Sequence, residues 1–284
     1  DIFRRVTTLA DAKSHGMVML IDNSASMHEA RGSVISQVLS LAMFCKRVNI
    51  PFDVYSFTSP RFNSSHYSIG DGELSYDSVS HTAALMTHVL SSSFSRRQYD
   101  VAYRQLFDLS CGYDCYESRY DDMGGTPLND ILTGMHVLLK DFKRRHQIQR
   151  TIFTVLTDGD SNMLSVSRSV QSSAVKENRR GLRIIMDETS RICRPKGRNM
   201  YNTTRITKYL LNTIREEVPG LANLGYFVAT DNSDFRRAVC RATHPEDPSE
   251  SVRLARKQAN QNKFVSYDNV LGYDRYFVLR SFNS

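Results

Sequence analysis

The chain has 284 residues, of which 40% are hydrophobic and 24% charged, a balance that suits a globular protein with one large α/β domain or two small ones. No apolar run approaches the roughly 20 residues of a membrane span, so no membrane association is expected. The formal charge of +7 is uneven: residues 1–124 hold 11 Lys and Arg against 14 Asp and Glu, and residues 125–284 hold 26 against 16.

Residues 1–15 are mixed and polar and read as a lead-in. A buried strand is expected over 16–21, where Met17-Val-Met-Leu-Ile21 is uninterrupted apolar sequence. It breaks off into Asp22, Ser24 and Ser26, three oxygen side chains at alternate positions. Ligands of open α/β sheets sit past the carboxyl ends of strands, so these residues stand where a hard cation such as Mg²⁺ would bind. One carboxylate and two hydroxyls fall short of the about six oxygens Mg²⁺ takes, so other stretches must contribute. A helix follows over about 28–48, with Val34, Val38, Leu41, Ala42 and Cys45 at three- and four-residue steps. Phe52–Phe57 alternates as a second strand, and strand, helix, strand implies a right-handed crossover and a parallel pair.

Residues 58–124 are longer than an ordinary connection and read as an insertion, with helices expected at His81–Leu90 and Gln98–Leu109. Gly124-Gly125-Thr126-Pro127 then sets a hydroxyl on a glycine-rich loop. Pro127 suits the first turn of a helix reaching about Arg145, with Leu128, Ile131, Leu132, Met135, Leu138 and Leu139 on one side. Thr151–Thr157 is strand-like and ends in Asp158-Gly159-Asp160, so a carboxylate again follows a strand. Leu182–Met186 is a short candidate strand, and Thr204–Glu217 an amphipathic helix stopped by Pro219-Gly220. Leu224–Ala229 is a strand, Asp234–Cys240 a helix, and Tyr276–Leu279 a late strand at the sheet edge. Residues 241–284 read as a basic carboxyl-terminal extension to a domain spanning 16–240.

Asp22-x-Ser24-x-Ser26, Thr126 after a glycine pair, and Asp158 in Thr-Asp-Gly together resemble the metal-ion-dependent adhesion site of a von Willebrand factor A domain. The resemblance covers roughly residues 16–58 and 124–160. It implies a Rossmann-like, doubly wound, mostly parallel sheet. It implies Mg²⁺ or Mn²⁺ touched directly by Ser24, Ser26 and Thr126, with Asp22 and Asp158 acting through water or holding the hydroxyls. Two carboxylates that stay mostly behind water leave the cation electron-poor, so an Asp or Glu from a partner protein would fill its open position. Asp160 is a candidate for supporting that arrangement.

Val18–Met27 and Phe52–Thr58 further resemble the A domain of cobaltochelatase CobT-type subunits, including versions carried by bacteriophages. The loop at Gly124–Pro127 is closer to the general A-domain loop. By that resemblance the partner is an AAA+ ATPase, and the chain is the non-ATPase subunit of a chelatase-like complex. The rival is a structural or assembly subunit, as of a phage particle, using the same fold as a scaffold. Five Cys without framework spacing point to a reducing interior, so the cytoplasm of a bacterial or phage-infected cell is expected. Cys111 and Cys115 lack the spacing of a zinc knuckle. There is no phosphate-binding glycine loop, and the Ser residues lack a His-Asp arrangement for nucleophilic catalysis. His81, His88 and Tyr120 have no spacing that ties them to the metal as a base for hydrolysis. The basic half suits an acidic partner surface, with nucleic acid less favoured because no binding motif accompanies it. The chain thus reads as a binding module and not as an enzyme acting alone.

Overall fold

The computed structural model describes residues 14–59, 84–112, 124–162, 203–244 and 247–280. Among them the strands are β1 His15–Asp22, β2 Phe52–Thr58, β3 Leu85–Ser91, β4 Arg150–Thr157, β5 Leu221–Ala229, β6 Phe264–Val270 and β7 Tyr273–Arg280. The α-helices are α1 His28–Arg47, α2 Arg96–Ser110, α3 Leu128–His146, α4 Thr203–Glu217, α5 Asn232–Thr243 and α6 Pro248–Asn262. The strands form one 7-stranded sheet in the order β3-β2-β1-β4-β5-β7-β6. The inner five run parallel, and β3 and β6 are antiparallel at the two edges. The α/β, mostly parallel, Rossmann-like class expected from the sequence is the class observed.

Side chains alternate across a strand, so β1 feeds both faces of the sheet. Val18 and Leu20 enter a core with residues of α3, α4, α5 and α6. Met19 and Ile21 enter a second core with α1 and α2. A strand covered on both faces reads as a continuous apolar run, which is why β1 was legible. The chain leaves β1 for β2 on one side, while β4, on the other side of β1, continues to β5. The strand order therefore turns between β1 and β4. Ligand crevices of open α/β sheets form at such a turn, outside the carboxyl ends of the strands.

Two expectations change. His81–Leu90 is not helical where it is described: Leu85–Ser91 is β3, paired with β2 from Asp53↔Ser91 to Thr58↔Leu85. Pairing with the free edge of β2 satisfies its backbone, and Leu90 and Ser91 are buried there. Tyr276–Leu279 belongs to β7, which is not the edge, because β6 pairs outside it. Residues 248–280 supply α6, β6 and β7 to the same sheet and core. Likewise 84–112 supplies an edge strand and a helix packed on α1. Leu182–Met186 lies outside the described residues.

Candidate metal centre

The five predicted site residues come together at the carboxyl ends of β1 and β4. Asp22 closes β1 and is 1% exposed. Its Oδ1 accepts the Ser24 N–H at 2.9 Å, and its Oδ2 accepts the Thr157 hydroxyl at 2.6 Å. The carboxylate thus joins the end of its own strand to the end of β4. Ser24 Oγ and Ser26 Oγ are 3.1 Å apart, and Ser26 Oγ donates to Asp158 Oδ1 at 2.8 Å. A hydroxyl pair therefore bridges the distance from β1 to the second carboxylate. Thr126 comes in from the other side: a methyl group placed on Gly159 would lie 3.8 Å from Thr126 Oγ1. Asn162 N–H donates to the Thr126 carbonyl at 2.7 Å, tying the threonine loop to the loop after β4.

The loop before α3 is held on three sides. Gly124 N–H donates to Thr58 Oγ1 at 3.0 Å and Gly125 N–H to Ser59 Oγ at 2.6 Å. Ala25 N–H donates to the Gly124 carbonyl at 2.8 Å. This approach demands glycine, since a Cβ on Gly124 would collide with the Ser59 carbonyl and one on Gly125 with the Asn162 amide. Pro127 stands one residue ahead of α3 as its cap. Buried Asn129 anchors the first turn of α3: its N–H donates to Ser161 Oγ at 2.8 Å, and its Oδ1 accepts the Thr207 hydroxyl of α4 at 2.7 Å.

Burial dominates the electrostatics. It pushes the Asp22 carboxyl up to about 6 against the hydrogen bonds from Thr157 and Ser24, with a smaller push from the Asp158 charge. Asp158 is also raised by burial, against the Ser26 hydrogen bond. Among the described residues no three His, Cys, Asp or Glu side chains cluster as metal ligands. The donor set here is instead two carboxylates and three hydroxyls. All-oxygen donors with two buried negative charges fit a small hard cation and not a thiolate- or imidazole-seeking one. A divalent ion would neutralise the two carboxylates that burial disfavours.

Other expectations fall elsewhere. Asp160 pairs with Arg241 of α5. His88 lies on β3 with its Nε2 3.3 Å from Asp53 Oδ1, toward the end of β2 opposite Thr58 and the Gly124 loop. His81, Tyr120, Cys115 and Cys193 lie outside the described residues. Cys45 is a buried free thiol, as its place in the α1 pattern predicts, and Cys111 is exposed.

The sequence reading missed a second polar cluster. Asp53 on β2 is fully buried, and its oxygens accept from Ser91 Oγ at 2.6 Å and Arg145 Nη2 at 2.9 Å. Burial would raise its carboxyl, but the hydrogen bonds from His88, Ser91 and Arg145 together outweigh it and bring it down to about 2. The partners come from β3 and α3, so local spacing carried no signal. Thr157, Ser59 and Asn162 were missed for the same reason; each matters through a contact across loops.

No family model matches the chain, and no curated protein matches it. Among solved structures, the pilus adhesin SpaC from Lactobacillus rhamnosus GG in its open conformation is similar over 88% of this chain and 30% of its own, with 13% identity and a TM-score of 0.45. Proximal thread matrix protein 1 from the mussel byssus is similar over 90% of this chain and 50% of its own, with 10% identity and a TM-score of 0.36. The chain therefore spans half or less of either structure. Likenesses this distant do not bear on what it binds. The mixed sheet is compatible with a von Willebrand factor A-like fold.

Proposed function

We propose that the chain is a metal-dependent protein-binding module of the A-domain kind. Asp22, Ser24, Ser26, Thr126 and Asp158 would hold Mg²⁺ or Mn²⁺. The bound ion supplies an electrophilic position for a partner's carboxylate. The observation that carries this reading is the meeting of five oxygen side chains from three distant stretches, four of them joined by the hydrogen-bond path Asp22–Ser24–Ser26–Asp158 and Thr126 standing beside Gly159. The chain's own part is to position. Thr157 and the Ser24 amide fix Asp22, and the Gly124 loop fixes Thr126. The partner is an AAA+ ATPase in a chelatase-like assembly; this finer part rests on the resemblance at residues 16–58.

The test is capture of partners from the native cell extract, in Mg²⁺ and again in EDTA, with wild type and Asp158→Ala. The reading expects an ATPase retained only by the wild type in Mg²⁺. Partners held equally well in EDTA, or by Asp158→Ala, would instead support a static assembly subunit.

A further inference from the structure

Helix α5 brings a cation to the rim of the metal crevice that the motif does not include. Arg237 and Arg241 are four residues apart and share one face of α5. Arg241, only 14% exposed at its side chain, pairs with Asp160 just beyond Asp158. That contact fixes this face of α5 against the loop after β4. Because α5 starts at the carboxyl end of β5, Arg237 lies one turn nearer the crevice mouth. Its side chain is 58% exposed and pairs through Nη2 with Asp234. Asp234 is held in turn by the Thr230 hydroxyl at 2.6 Å. A guanidinium carries five N–H donors, so one pair leaves most of them for a ligand.

We propose that Arg237 is a second anchor for the captured partner. The preferred ligand is then an acidic segment with two carboxylates, one on the cation and one on the guanidinium. This rests on the metal-dependent reading above. A planar fork matched to a carboxylate adds geometric selection that a bare metal site lacks. Asp234 occupies one donor of the fork and competes with the ligand's second carboxylate for it.

The probes are capped synthetic hexapeptides carrying one glutamate, or two at increasing separations, titrated calorimetrically in Mg²⁺. Metal binding itself is followed separately by Mn²⁺ spin resonance. In the wild type at least one two-acid peptide should bind about tenfold tighter than the one-acid peptide, the size of one charge-assisted pair. Arg237→Gln should abolish that preference while leaving Mn²⁺ binding and one-acid affinity within about twofold. Asp234→Asn, which frees the guanidinium, should keep or widen it. A preference that survives Arg237→Gln, or is lost as fully in Asp234→Asn, overturns the proposal alone. No Mn²⁺ binding in the wild type overturns the metal reading and this proposal with it.

Discussion

Asp22 holds a carboxylate at 1% exposure with both oxygens already accepting hydrogen bonds. Its folded-state carboxyl, at about 6, stands above its ordinary unfolded range near 4. The folded protein therefore binds a proton that the unfolded chain has lost, and metal-free stability should fall as pH rises from about 4 to about 6. That difference corresponds to about 3 kcal/mol. Metal-free Asp22→Asn should accordingly be about 1–3 kcal/mol more stable than wild type at neutral pH, by urea unfolding. The Thr157 hydroxyl can turn to the Gly159 carbonyl, 3.2 Å away, and accept from the new amide. The same variant should lose Mg²⁺ binding. In the wild type Mg²⁺ should bind more weakly below the Asp22 value of about 6, because the proton competes for the site. Asp22, Ser24 and Ser26 were legible as candidates because they sit together behind an apolar run, and Thr126 and Asp158 joined them in the order that the resemblance implies. Asp53 was not, because nothing beside it in sequence reveals that Ser91, His88 and Arg145 surround it.

At the scale of elements, Asp53 pins β3 and α3 to β2. Its carboxyl, at about 2, lies below the unfolded value, so its stabilisation is present above about 4 and is lost as pH falls through about 2. Arg145→Ala should destabilise the fold by about 2 kcal/mol at neutral pH, less than a fully buried pair because the Arg145 side chain is 36% exposed. The loss should shrink in acid, and chemical unfolding at two pH values would check it. The Gly124 loop is a backbone-on-backbone contact with Ser59, so Gly124→Ala must move the loop and Thr126 with it. A drop of at least about tenfold in Mg²⁺ affinity is expected, with about 1–3 kcal/mol of overpacking. Elements with strong periods, such as α1 and α3, were legible. β3 was not, because its residues are mostly half-buried and the pairing edge of β2 decided its form. α6 buries only Val252, Ala255 and Ala259, too sparse a stripe to stand out. Its start passed unread, although Asp247 caps the Ser249 and Glu250 amides ahead of Pro248.

Over the whole molecule, the strand order turns at β1 and β4, and both candidate carboxylates stand at their carboxyl ends. The parallel class was legible from alternating strand and helix signals. The extent of the sheet was legible only in part: Tyr276–Leu279 was expected as a late strand, whereas β6 buries too few of its side chains to show a clear period. No described helix is long and apolar enough to cross a membrane. A cation bound only by the folded chain should stabilise it by mass action, about 2.7 kcal/mol at a hundredfold excess over Kd. The melting temperature should thus climb with Mg²⁺ and fall back in EDTA. The most direct test is calorimetric titration of Mg²⁺ into the wild type and Asp158→Ala. One saturable site is expected in the wild type and none in the variant. A wild type that binds no Mg²⁺, or a variant that binds it equally well, would contradict the metal centre.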